Sequence, residues 1–287
     1  MRAVFTYWSK PIVDNPDLAS NGYTTSYYEL VSFKLAVMQA KSHFGTTVLY
    51  SDTAGIERFV NQGFIKFDEV HNVYDNLVTS NNVTIPNSLT VIAKLKSILA
   101  ETTPFIHLDT SVFFIRTPTT FNVEQYTFLT NDVVAQNIES VTDGKVPEYI
   151  TGIDYCNNLF SLTALLQYAF IPIANRVAYN CSIIGGSNIV FLQDYANDVL
   201  QYLLGLDYYY ITDAQVKIIN IVMERYYLAA KILSASLINQ NITIKPYINN
   251  IHDIVELKNL GYINPSNEAK KLETVCLRIE STYNKLK

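Results

Sequence analysis

Cysteine is scarce, and the three present, Cys156, Cys181 and Cys276, lie far apart with no Cys-x-x-Cys spacing. That excludes a disulfide-stapled scaffold and leaves reduced, mostly buried thiols. Charge is sparse as well: 16% of residues carry one, the formal net charge is −5, and no dense Lys/Arg run occurs. Such a chain has no electrostatic reason to bind a nucleic-acid backbone, although a few placed donors suffice for a compact phosphate. Long apolar runs are missing too. The most apolar stretch, Leu159 to Val177, is broken by Gln167, Pro172, Asn175 and Arg176, so it makes a poor membrane span and leaves only peripheral membrane association open. Neither Gly-x-Ser-x-Gly nor Gly-x-Gly-x-x-Gly occurs, which disfavours a hydrolase elbow and a dinucleotide fingerprint.

What is present is a core. Hydrophobic residues make up 49% of the chain, with 21 Tyr and 14 Phe, a composition that disordered chains do not have. Met1-Arg2 leads straight into a strand-like Ala-Val-Phe-Thr-Tyr-Trp without the apolar core and cleavage site of a signal peptide, so the expected localisation is cytoplasmic. Strand periodicity is expected over 3–8, 46–50, 64–70 and 133–136, and helical periodicity over 27–43, 54–61, 88–101, 155–176, 191–204 and 212–237. Strands alternating with helices imply an α/β sheet. The pair of glycines at Gly185 and Gly186 reads as a tight turn or a close backbone approach.

The stretch from Pro104 to Arg116 organises the rest. Two apolar runs flank His107, Asp109, Thr110 and Ser111, the pattern of a buried strand that delivers polar groups at its carboxyl end, where open α/β sheets bind ligands. Asp109 is its one acid and could hold a cation or a ribose. His107 alternates with it and reads first as a hydrogen-bonded structural histidine.

Val4-Phe5-Thr6-Tyr7, Asp52, Lys94, Asp109-Thr110-Ser111, Asn180 to Gly186, and His252 with Lys258 stand in an order that resembles nucleotide-sugar glycosyltransferases of the GT-A fold. The layout is nearest to the family of glycogenin and bacterial galactosyltransferases, and Tyr7 to Pro11 looks like the opening of related bacterial and viral proteins. The resemblance implies a Rossmann-like, mixed, mainly parallel sheet flanked by helices, with a nucleotide-sugar-binding domain over 1–248 and a C-terminal helical appendage over 249–287 packed on it. It implies transfer of a sugar, from a UDP-sugar first among nucleotide sugars, to a glycan, protein or small acceptor. The alternative is a binding or scaffold protein of the same shape that has lost its metal site.

The same resemblance assigns the residues. Thr6, Tyr7, Asp52, Lys94, Asp109, Ser111 and Lys258 are implied for the donor. Asp109, Ser111 and His252 are implied for a divalent Mn²⁺ or Mg²⁺, with Ser111 standing where the family's Asp-x-Asp motif has its second aspartate and Val255 where its C-terminal motif has glycine. A hydroxyl adds no charge, so the ion should bind more weakly. Gln136, Asn137, Asp154, Asn180, Gly185 and Gly186 are candidates for sugar and acceptor. Asp213 with Gln215, and Glu224 as their rival, are candidates for the catalytic group.

Overall fold

The computed structural model describes residues 1–13, 23–77, 84–114, 132–140, 146–160, 164, 167–168, 170–172, 176–238, 242–246, 262–263 and 273–286. In chain order the first elements are β1 (Arg2–Tyr7), α1 (Lys10–Val13), α2 (Ser26–Phe44), β2 (Thr46–Ser51), α3 (Thr53–Ile56) and β3 (Glu69–Asn72). Next come α4 (Val91–Ala100), β4 (Phe105–Leu108), β5 (Phe113–Phe114), β6 (Asp132–Ser140), α5 (Val146–Phe160), β7 (Val177–Gly186) and α6 (Ile189–Gly205). The described chain closes with α7 (Asp213–Ile221), α8 (Tyr227–Leu237), β8 (Thr243–Pro246), β9 (Tyr262–Ile263) and α9 (Glu273–Leu286). The elements divide between two compact units, Met1–Asn76 with Phe105–Thr127 and Asn250–Lys287, and Leu77–Pro104 with Phe128–Asn249.

In the first unit four parallel strands stand in the order β3-β2-β1-β4, with Val4 beside both Val48 and His107. Strands this apolar must be covered. On one side α2 does so, begun by the Thr25 side chain, which accepts the Tyr28 N–H, and ended at Gly45, whose φ of 78° is the left-handed cap that glycine supplies. Its Phe33 meets Phe5, Phe59 and Phe67 in a tilted and edge-on aromatic cluster. The far side of α2 receives α9, where Cys276 and Ile279 are buried and Tyr27 donates to Glu280 at 2.8 Å. A short antiparallel pair, Phe113 with Ile263 and Phe114 with Tyr262, joins β5 to β9.

In the second unit β6 lies between β7, antiparallel, and β8, parallel. Among its helices α4 packs on α6. The α/β class with mainly parallel, mixed pairing and flanking helices is therefore as expected.

Several boundaries differ, each for a tertiary reason. The third strand starts at Glu69 rather than Phe64, because Ile65 turns back to the Phe59 carbonyl and Asp68 ties off the start of β2. Helix α4 starts at Val91 rather than near Ser88: the Asn220 side chain takes the Val91 N–H at 3.1 Å and donates to the Ser88 carbonyl at 2.6 Å. Leu99, at the end of that helix, is 37% exposed. Strand β6 does not stop at Gln136 but continues to Ser140 because β7 pairs along it, so Gln136 and Asn137 lie within a strand rather than in a loop after it. Gly185 and Gly186 likewise end β7, opposite Val134 and Val133, instead of forming a turn.

Candidate functional site

Strands β1 and β2 run in register to Tyr7 and Ser51, so the residues that follow each must meet at the same edge. They enclose a cleft of about 520 Å³ lined by Trp8, Ser9, Lys10, Asp52, Thr53, Ala54, Glu57, Tyr74 and Asp75. This is the carboxyl edge of parallel strands, where the polar termini of α/β units collect and ligands bind. Strand β4 flanks β1 on its other side, so the turn carrying Asp109 and Ser111 leaves from that edge too.

Asp52 shapes the cleft. Its Oδ2 accepts from the Ser9 N–H at 2.9 Å and the Ser9 hydroxyl at 2.6 Å, while Oδ1 accepts from the Gly55 N–H at 2.8 Å as the N-cap of α3. One buried carboxylate thus fastens the exit of β1 to the start of α3. Gly55 lets α3 sit that close: a Cβ there would press on the Ser51 hydroxyl and lie 2.7 Å from the Tyr7 ring. Behind the edge, Tyr7 accepts from Arg58 at 2.9 Å, and Arg58 pairs with the buried Glu29 at 2.5 Å. Burial pushes the Tyr7 phenol well above its ordinary range, so it stays neutral behind the cleft.

The cleft's mouth is acidic. Asp75 accepts from the Thr53 hydroxyl and N–H and from the Asn72 amide, and these bonds hold its carboxyl below the ordinary carboxylate range. Glu57 accepts from Asn61, and Lys10 is the lining cation. Carboxylates at the rim suit the hydroxyls and N–H groups of a nucleoside better than they suit a phosphate.

Of the other expected donor residues, Thr6 shares a 2.9 Å hydrogen bond with His107 Nε2 across β1 and β4, a structural place for that histidine. Asp109 is half-buried, its carbonyl accepting the Val112 N–H at 2.9 Å, and Ser111 is buried. His252 and Lys258 lie outside the described residues. Among the described residues no group of three His, Cys, Asp or Glu is arranged to hold a metal ion. Asp109 and Ser111 alone supply one carboxylate and one hydroxyl, too few to hold a divalent ion without phosphate oxygens or a further ligand.

The second unit gathers a different set. Lys94 of α4 pairs with Glu224 and also donates to the Cys181 carbonyl at 3.0 Å. Glu224 sits in a π-helical turn, Val222–Tyr226, between α7 and α8. The Met223 and Glu224 carbonyls there accept from the buried Tyr195 hydroxyl at 3.2 and 2.8 Å, and the Cys181 thiol also meets the Glu224 carbonyl at 3.3 Å. π turns recur at functional sites, and this one is braced by two side chains. Gln215 closes a capping box with Thr212, and Asp213 accepts from Ser88 at 3.3 Å. Asn180 is half-buried and accepts the Ser182 N–H, and Asp154 is exposed on α5.

Of the residues that line this cleft, the sequence singled out Asp52 as a candidate and not Trp8, Lys10, Glu57, Tyr74 or Asp75. The signal was available in one form: residues directly after two adjacent parallel strands must share an edge. Trp8 read only as the end of a strand.

The profile of a family of unknown function, DUF6734, matches residues 1–285. A comparison with curated proteins finds no match. Among solved structures, the galactosyltransferase LgtC in complex with donor and acceptor sugar analogues aligns with a TM-score of 0.35 and 12% identity, over 77% of this chain and 70% of that one. Mouse xyloside xylosyltransferase 1, apo form, aligns with a TM-score of 0.36 and 11% identity, over 79% of this chain and 82% of that one. Scores of that size leave the chemistry to be argued from this chain's own residues.

Proposed function

The chain belongs to DUF6734, a family of unknown function, and from its own cleft we propose that it is a glycosyltransferase using a nucleotide-sugar donor, a UDP-sugar first. The observation that carries this is the cleft at the carboxyl edge of β1 and β2, lined by the buried Trp8 and Tyr74 and by the exposed Glu57 and Asp75. Aromatic rings next to hydrogen-bond acceptors suit a base and a ribose. The order of Thr6, Tyr7, Asp52, Asp109 and Ser111 along the chain, which resembles the GT-A pattern, supports the same reading.

In glycosyl transfer the bond from the sugar's anomeric carbon to the diphosphate breaks as a bond to an acceptor oxygen forms, and the acceptor's hydroxyl proton passes to a base or to the leaving diphosphate. The leaving diphosphate gains charge that must be neutralised. In this proposal Lys258 would meet that charge, and Asp109, Ser111 and His252 would hold a Mn²⁺ or Mg²⁺ that helps to neutralise the phosphates. Of the three catalytic candidates, Gln215 is taken up by the capping box and Asp213 accepts from Ser88, while Glu224 stands in the π turn paired with Lys94.

The test is a thermal-shift panel of nucleoside diphosphates with and without Mn²⁺. UDP at about a hundred times its Kd should raise Tm by about 5 °C, more with the metal than without. No shift with any nucleotide rejects the reading. A second reading, a nucleotide binder without turnover, is favoured by Ser111 at the second acid position; a UDP shift with no release of UDP from any UDP-sugar would establish it.

A further inference from the structure

Three consecutive tyrosines, Tyr208–Tyr210, form one turn of 3₁₀ helix between α6 and α7. The turn is fastened on both sides. Tyr208 is buried and donates to the Leu203 carbonyl at 2.6 Å, and the Asp207 carboxylate accepts the Tyr209 N–H at 3.0 Å. Beyond it, the Ile211 N–H returns to the Tyr208 carbonyl and the Thr212–Gln215 capping box begins α7. With Tyr208 anchored inward, its two neighbours are driven out.

Tyr209 is 83% exposed and Tyr210 is 80% exposed. Their ring centroids lie 4.9 Å apart at an interplanar angle of 83°, so each holds the other in an edge-to-face arrangement. Two large rings displayed together on a braced turn cost solubility and give the fold no burial, which marks a binding surface. Rigidity also lowers the ordering cost of binding.

The polar groups beside the rings select the ligand. Asp207 and Asp213 are exposed carboxylates, and the first cation after them is the exposed Lys217, one turn along α7 from Asp213. Two carboxylates against one lysine leave the turn net negative, which disfavours a phosphate or an acidic lipid. A neutral sugar ring offers a C–H face to the electron-rich aromatic faces and hydroxyl donors to the carboxylates. We propose that Tyr209 and Tyr210, flanked by Asp207 and Asp213, form a binding platform for a neutral pyranose oligosaccharide. The proposal needs no transfer chemistry and stands independently of the nucleotide reading.

The test probes a neutral-glycan array with the intact chain, followed by calorimetry on the best oligosaccharide bound. Tyr209→Ala and Tyr210→Ala should each weaken that binding about tenfold. The Phe variants should retain it, and Tm and any UDP shift should stay unchanged because both rings are exposed. Absence of binding to every neutral glycan overturns the proposal, as does binding that both Ala variants leave intact. A loss confined to anionic vesicles or to self-association in the Ala variants also overturns it, and identifies the surface as a lipid or protein contact.

Discussion

Asp52 accepts three hydrogen bonds from inside its own fold, two from Ser9 and one from Gly55. Asparagine has a single acceptor oxygen and cannot serve both sides, so Asp52→Asn should lose about 1.5–3 kcal/mol, the worth of hydrogen bonds to a charged group. Urea denaturation measures this, and an unchanged midpoint would show that the fastening is unimportant. Asp68 supplies a pH signature. Its bond from Lys41, then the Thr47 N–H, lowers its carboxyl from 3.8 to about 2. A folded pKa below the unfolded one means stability that is fully present above the unfolded value and is lost as pH falls through the folded one. Stability should therefore decline from about pH 4 towards pH 2, and Asp68→Asn should flatten that decline. The side chain is exposed enough for salt to screen the Lys41 bond, so the slope should shrink in high salt.

At the level of elements, α3 approaches the ends of β1 and β2 so closely that only hydrogen fits at Gly55. Gly55→Ala should cost about 1–3 kcal/mol of overpacking and reshape the cleft it borders, read as a lower Tm together with a weaker UDP shift. The π turn at Val222–Tyr226 makes a second prediction. Lys94 and Glu224 are partly buried partners, so removing one strands the other. Lys94→Met and Glu224→Gln should each destabilise, while the double variant should lose less than their sum, with a coupling of about 1–3 kcal/mol in a double-mutant cycle. Additive losses would show that the two do not interact. The helical pattern over 212–237 was legible in the sequence, but the π turn inside it was not; its Met223 and Glu224 carbonyls accept from Tyr195, and its Glu224 carbonyl also from Cys181, both on distant segments.

At the scale of the whole molecule, the unit holding the cleft is assembled from three separate segments, and its last described helix, α9, packs on α2 near its beginning. A chain ending at residue 248 would lack β9, which pairs with β5, and α9, which buries Cys276 and Ile279 on α2. It should unfold at a markedly lower temperature, and a Tm equal to that of the intact chain would show that residues 249–287 are dispensable to the fold. The sequence by itself determined the α/β class, the parallel strand sites and Asp52 and Asp109 at strand ends, because burial periodicity and polar punctuation are local properties of the chain. It could not determine the length of β6, the start of α4, the close approach at Gly55 or the walls of the cleft. Those depend on partners far along the chain, such as Asn220 at the start of α4, 129 and 132 residues from Val91 and Ser88, and Ser9, 43 residues from Asp52, and no local pattern records which distant segment a hydrogen bond will reach.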